Sequence, residues 1–184
     1  LSGGFIGEGG EVEQISSAKL KLLSETLDDL LGAGKKVVIF ARFIPEIRAI
    51  LEELDSRDVG YAWITGDVPQ SERGPAVERF QNDENCRVFV AQLQTAGLGI
   101  TLTAADTAIF YSLDYSYANY EQCRARIHRI GQRNTCTYIH LVARGTVDED
   151  VMEALRKKKN VADLVVDNWH RFFGKESTRK GDRK

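Results

Sequence analysis

Gln122, Arg126 and Arg129 recur at the three-and-four spacing of one helix edge within the run Gln122-Cys-Arg-Ala-Arg126-Ile-His-Arg129-Ile-Gly-Gln132. Tyr120, Cys123, Ile127 and Ile130 follow the same spacing on the adjoining stripe and are expected to face a core. One edge thus offers an amide and two guanidiniums over a rise of about 10 Å, a span suited to the terminal phosphates of one nucleotide.

The plainer reading of such a cluster is a solvated helix face. Against it stands a local imbalance: residues 121–133 hold four arginines and one glutamate, in a chain with 25 basic and 27 acidic residues overall. A chain that held its own nucleotide would also need a phosphate-cradling loop, Gly-x-x-x-x-Gly-Lys followed by Ser or Thr. Gly34-Lys35 is followed by Lys36 and Gly174-Lys175 by Glu176, so neither supplies the metal-binding hydroxyl. Gly97-Leu98-Gly99 is not a dinucleotide fingerprint either, because Leu102 stands at the third glycine. Arginines without a phosphate loop fit a lobe that supplies charge across a cleft to a nucleotide bound elsewhere, as arginine fingers do.

The elements that must position these groups follow from patterning. Short Val/Ile/Phe-rich runs alternate with helical periods, the signature of strand-helix-strand units and a parallel sheet. Strands are expected at 36–41, 61–64, 87–91, 107–111 and 137–142, and helices at 17–31, 45–55, 72–81, 117–130 and from 147 to about 172. Thr146-Val-Asp-Glu149 has the capping-box spacing at the start of the last helix, and Asp148, Glu149 and Asp150 oppose its positive end. That helix carries a stripe of Val151, Leu155, Ala162, Val165, Trp169 and Phe172. The division expected is a flexible glycine-rich lead (1–15), a folded lobe (16–146), a C-terminal helix packed on the lobe or reaching toward a missing one (147–173), and a basic disordered tail (174–184).

With their order and types, three segments resemble motifs of the Swi/Snf-related ATP-dependent DNA translocases of helicase superfamily two. Lys36-Val-Val-Ile-Phe-Ala-Arg42-Phe43 is similar to motif IV, and Thr95-Ala-Gly97-Leu-Gly99-Ile-Thr101-Leu-Thr103-Ala-Ala-Asp106 to motif V. Gln122, Arg126 and Arg129 with Ile130-Gly131-Gln132 are similar to motif VI. Thr65-Gly66, Arg73 and Phe80 resemble the segment between motifs IV and V, and the resemblance spans residues 16–169. It implies the second, C-terminal RecA-like lobe of such a motor: an α/β three-layer domain with a mainly parallel sheet, P-loop NTPase-like but lacking its own P-loop. It implies Arg126 and Arg129 as catalytic arginines with Gln122 positioning them or the attacking water, and Gly97 and Gly99 beside the nucleotide. Arg42, Thr65, Gly66, Ser71 and Thr95 would lie along the DNA backbone, with a turn or helix cap as the alternative role for Thr65-Gly66 and Ser71, and a turn cap for Thr95. ATP and Mg2+ would be held mainly by the N-terminal lobe of the same protein. Double-stranded DNA and a protein complex to be remodelled would be the other partners, and the fragment alone would be inactive. Ala96 and Thr101 stand where the family usually has glycine and asparagine. Two other readings are an RNA helicase lobe, against which the Ile130-Gly131-Gln132 ending argues, and a non-catalytic protein-interaction domain.

At 184 residues, with 42% hydrophobic and 28% charged residues, the chain is the size of one globular domain able to bury about 70% of its unfolded surface. No apolar run approaches the roughly 20 residues of a membrane span, and the start has no secretory pattern. The sole methionine is Met152, so the chain is expected to be part of something longer. Cys86, Cys123 and Cys136 fit neither a zinc nor a disulfide framework and are expected as reduced thiols inside a cell; His128, His140 and His170 show no metal spacing. A net charge of −2 implies that the lobe by itself holds DNA weakly, with steep salt dependence.

Overall fold

The computed structural model describes the backbone of residues 5–8, 11–14 and 17–173 and the side chains of residues 17–95 and 99–161. Its element order is β1 (Phe5–Glu8), β2 (Glu11–Gln14), α1 (Ala18–Gly32), β3 (Val37–Ala41), α2 (Ile44–Ser56), β4 (Tyr61–Ile64), α3 (Gln70–Asn82), β5 (Val88–Gln92), a 3-10 turn (Leu93–Leu98), β6 (Thr107–Phe110), α4 (Tyr117–Ile127), β7 (Thr137–His140) and α5 (Val147–Phe173).

The central sheet has the order β4-β5-β3-β6-β7, with parallel pairing throughout. Strand β3 lies in the middle, and each of its five residues is buried because both sheet faces are covered. That is why it reads as one continuous apolar run. Side-chain alternation then sorts two cores. Val37, Ile39, Val88, Val90 and Ile109 pack with Leu23 and Leu27 of α1 and Ile47, Ile50 and Leu54 of α2. Val38, Phe40, Phe89, Ala91 and Phe110 pack with Phe80 of α3, Cys123 and Ile127 of α4, and Val151 and Leu155 of α5. The result is the three-layer α/β architecture expected. From β3 the chain moves outward to β4, returns through β5, and continues to β6 and β7 on the other side. The order therefore reverses about β3, and crevices at such reversals, outside the carboxyl ends of strands, are where open α/β sheets bind ligands.

Several boundaries differ from expectation. Within the lead expected to be flexible, β1 and β2 pair antiparallel from Phe5↔Gln14 to Glu8↔Glu11; Phe5, Ile6 and Val12 give this short pair its strand-forming residues. Helix α3 begins at Gln70, with extended Pro69 at its N-cap, so Ser71 is an exposed residue inside the first turn and not a cap. Helix α4 ends at Ile127, three residues early. The backbone leaves the helix at His128 (ψ 81°), Gly131 follows at φ +103°, and Ile130, placed by periodicity on the core stripe, is 99% exposed. At α5, Thr146 Oγ1 accepts from the Asp148 N–H at 3.2 Å and Glu149 accepts from the Gly145 N–H at 3.0 Å, one residue off the capping-box pairing. Val151 and Leu155 of its stripe are buried. The side chains of Ala162, Val165, Trp169 and Phe172 and the tail at 174–184 lie outside the described residues. No described helix is long and apolar enough to cross a membrane. The three cysteines are free thiols.

Candidate functional site

The loop after β5 and the end of α4 are held together at three points. The Leu102 N–H donates to the Arg126 carbonyl at 2.9 Å. Arg129 Nη1 donates to the Gly99 carbonyl at 3.0 Å and to Thr101 Oγ1 at 3.1 Å. Gln132 Nε2 donates to the Ala105 carbonyl at 2.7 Å, with longer contacts of 3.3 Å to the carbonyls of Thr103 and Ile127. The loop is also fixed from behind, since Gln81 Oε1 accepts from the Ala104 N–H at 2.7 Å. Hydrogen bonds thus join two segments that lie far apart in sequence.

The three residues singled out in α4 divide. Gln122 is exposed and so is Arg129, which sits two residues beyond the helix and not on its edge. Arg129 lines an open depression of about 640 Å³ with His128, Ile130 and Gln132. Arg126 is half-buried, and its Nε has no hydrogen-bond partner among the described residues. Burial, and after it the positive charge of Arg129, hold the Arg126 guanidinium below the ordinary arginine value; it remains a cation at neutral pH. Neither arginine forms an ion pair among the described residues. Arg124 shares the unpartnered Nε but differs in having a carboxylate partner. It pairs with Glu121 at 2.6 Å and lies 4.6 Å from the Tyr138 ring centroid and 5.6 Å from that of Tyr120. Burial opposes its charge, but the Glu121 carboxylate outweighs this and raises its pKa. Arg124 is therefore a packing residue, neither a solvated helix charge nor a free cation.

The loop glycines and threonines have defined places. Gly97 belongs to the 3-10 turn, and Gly99 closes that turn in the left-handed region at φ +73°, where a side chain would be strained. Thr95 is buried, and its hydroxyl donates to the Gln92 carbonyl at 2.6 Å. The bond ties the turn back to Gln92 at its start, and the Gln92 side chain itself makes no capping bond.

The remaining residues sit just past the carboxyl ends of β3 and β4. The Arg42 N–H donates to Ser112 Oγ at 2.7 Å, and its guanidinium lies 4.7 Å from the Phe43 ring centroid. Thr65 is buried; its carbonyl accepts from the Val68 N–H at 3.2 Å, forming the turn offered as its plainer role. The Gly66 N–H donates to Gln92 Oε1 at 2.8 Å, which draws this turn toward the end of β5. Arg73 braces the turn by donating to the carbonyls of Val68 at 2.8 Å and Gly66 at 3.1 Å. Ser71 is well exposed nearby in α3.

Gln81, Gln92 and Gln132 were not singled out as candidates by sequence reasoning, although each binds a loop of the site. A glutamine that serves backbone carbonyls or N–H groups leaves no spacing pattern, and only Gln132, inside the Ile-Gly-Gln ending, carried a signal. Among the described residues no cluster of three His, Cys, Asp or Glu is placed to hold a metal ion. A second groove, of about 650 Å³, lies at the β4 edge between Asp55, Trp63, Pro75 and Arg79 and shares no residue with the arginine site.

A parallel sheet covered on both faces, with paired arginines joined to the loop after β5, defines a RecA-like lobe. The family model for the helicase conserved C-terminal domain matches residues 18–131. The chain is 37% identical over 152 residues to the chromatin-remodeling ATPase INO80 of Cryptococcus neoformans, covering 83% of this chain and 9% of that protein. It is 34% identical over 155 residues to the mouse chromodomain-helicase-DNA-binding protein 1-like, covering 84% and 17%. A crystal structure of the C-terminal part of the Fun30 ATPase domain superimposes with a TM-score of 0.71 at 21% identity, covering 74% of this chain and 45% of that one; it supports the fold. The chain belongs to the helicase conserved C-terminal domain family, in its Swi/Snf-related branch. It spans less than a fifth of the length of these two curated relatives.

Proposed function

We propose that this chain is the arginine-supplying lobe of an ATP-driven translocase that moves along double-stranded DNA. The observation that carries this reading is the contrast among the motif VI arginines. Arg124 is neutralised by Glu121, whereas Arg126 and Arg129 have no carboxylate partner among the described residues. Guanidiniums left without a counterion beside a cleft suit phosphoryl oxygens, whose negative charge they stabilise as the terminal phosphate is cleaved.

In this reading ATP and Mg2+ are held mainly by an N-terminal lobe of the same protein, and closure of the two lobes brings Arg126 and Arg129 to the phosphates. Gln122, exposed one turn before Arg126, orients the arginine or the attacking water. Arg42, the Thr65-Gly66 turn, Ser71 and the turn that contains Thr95 face the DNA backbone; Arg42 and Ser71 supply side-chain contacts, and the buried threonines keep the backbone in shape. Such contacts position the lobe without reading bases. Gly97 and Gly99 allow the loop to approach the nucleotide on one side while its other side follows the DNA. The names of the INO80 relatives support a remodelled protein–DNA complex as the partner and an intracellular site of action.

The test is Arg126→Ala in the full-length protein, with ATP hydrolysis measured with and without double-stranded DNA. Turnover should fall by about 10³ or more, while the unfolding midpoint stays nearly unchanged, as expected for a side chain with no hydrogen-bond or ion-pair partner among the described residues. Unchanged turnover would leave the non-catalytic interaction domain as the better reading. Stimulation by RNA in preference to duplex DNA would favour an RNA helicase.

A further inference from the structure

Arg129 lies beyond the end of α4, so its helix does not fix the direction of its guanidinium. The loop opposite does. Nη1 donates to both the Gly99 carbonyl and the Thr101 hydroxyl, which occupies the two hydrogens that this nitrogen carries. Nε and Nη2 have no hydrogen-bond partner among the described residues. Together they form one of the guanidinium's two-pronged edges, the geometry that meets phosphate oxygens in pairs. The acceptors are themselves immobilised: Gly99 closes the 3-10 turn in a left-handed conformation, and the loop is pinned by the Leu102 N–H on the Arg126 carbonyl and by Gln81 on Ala104.

We propose that Thr101 is a positioning residue for Arg129. Its hydroxyl, with the Gly99 carbonyl, holds Nη1 so that the Nε–Nη2 edge is left open to the terminal phosphates before they arrive. The inference rests on the reading of Arg129 as a phosphate-binding arginine. It adds that the loop proposed to follow DNA sets the orientation of that arginine directly, through a hydroxyl at a position where the resemblance leads one to expect asparagine. Orienting the guanidinium in advance lowers the ordering cost of the transition state, so the effect should fall on kcat and not on ATP binding.

The experiment compares Thr101→Val, which removes the hydroxyl and keeps the shape, with Thr101→Ser, which keeps the hydroxyl. Both are made in the full-length protein and assayed for DNA-stimulated ATP hydrolysis. Thr101→Val should lower kcat about tenfold, the scale of one hydrogen bond to a charged group, with KM for ATP little changed. Thr101→Ser should restore most of the loss. In an Arg129→Lys background, where no fork remains to be oriented, Thr101→Val should have almost no further effect. An equal loss in that background would assign Thr101 to the loop alone and overturn the proposal, as would an unchanged kcat in Thr101→Val. Arg129→Ala separates the two layers: if it spares turnover, the underlying reading fails, and if it abolishes turnover while Thr101→Val is silent, only the positioning role fails.

Discussion

Two groups of charged side chains gather near the carboxyl ends of the central strands, and they are treated in opposite ways. In the corner formed by α1, α2, β6 and the start of α5, Lys19 pairs with Asp148 at 2.6 Å, both side chains less than a tenth exposed. Asp148 also accepts the Ala143 N–H at 3.0 Å, and the Lys19 ammonium lies 5.3 Å from the Tyr111 ring centroid. Glu46 accepts from the Ser112 hydroxyl and from the Phe43 N–H. Across the molecule, Arg126 and Arg129 retain donor edges with no partner among the described residues. Under the proposed function, the difference separates charges that serve the fold from charges reserved for another molecule. A charge withdrawn from water must be matched inside the protein; a charge meant for phosphate must not be.

Arg126→Ala breaks the comparison on the cleft side and has the largest expected effect, about a thousandfold or more in turnover with stability nearly intact. Lys19→Met is its mirror image. It strands the Asp148 carboxylate in a buried site with one backbone N–H, and losing one partner of a buried pair costs about 3 to 5 kcal/mol. A urea melt should show that loss as a lower midpoint, and Arg124, Arg126 and Arg129 need not move for it to occur. A midpoint unchanged by Lys19→Met would mean that water reaches the pair, and the contrast between the two regions would disappear.

Gln132→Ala lies between these extremes because Gln132 is neither charged nor catalytic, yet one amide links the loop after β5 to the end of α4. Removing it leaves the Ala105 carbonyl without its 2.7 Å donor, and one such loss costs about 1 to 3 kcal/mol. Amide hydrogen exchange should rise around Thr103 to Ala105 more than in the β3 core. Uniform exchange across the molecule would show that the loop is held without Gln132.

The core of this fold was open to reading from sequence because burial on both faces leaves a visible mark. Val37 through Ala41 is apolar without interruption, and so is Val88 through Ala91, since helices cover the sheet above and below. The arginine site was half readable. Residue type and spacing pointed to Gln122, Arg126 and Arg129, but periodicity carried the helix through Ile130, and only the departure of the backbone from helical geometry at His128 removes Arg129 and Ile130 from it. Isoleucine has no means of signalling that it sits outside a helix. The 3-10 turn after β5 was hidden for a related reason: Leu93 to Leu98 has too few residues for any period to appear. Helix α3 starts two residues earlier than the expected 72, directly after Pro69.

The smallest effect expected concerns Glu46, the one place where the buried corner resembles the cleft. Its Oε1 lacks a hydrogen-bond partner among the described residues. Burial raises its pKa above the ordinary 4.5; the Ser112 hydroxyl, the Phe43 N–H and the charge of Lys19 work against that rise, and Asp148 adds to it. The folded state therefore binds this proton more tightly than the unfolded chain does. The stabilisation is fully present below 4.5 and is lost as pH rises through the elevated folded value. Asp106 works in the opposite sense. Burial pushes its pKa up, but Lys35, Thr107 and Asn134 together hold it below 3.8, so its contribution is lost only in stronger acid and does not overlap the Glu46 window. Glu46→Gln keeps an acceptor for Ser112 and cannot ionise, so its stability relative to the native chain should improve as pH rises from 4 toward 7. Denaturation curves for the two proteins that stay parallel across that interval would show that Glu46 is as well matched as Lys19 and Asp148, and the buried corner would then contain no uncompensated charge.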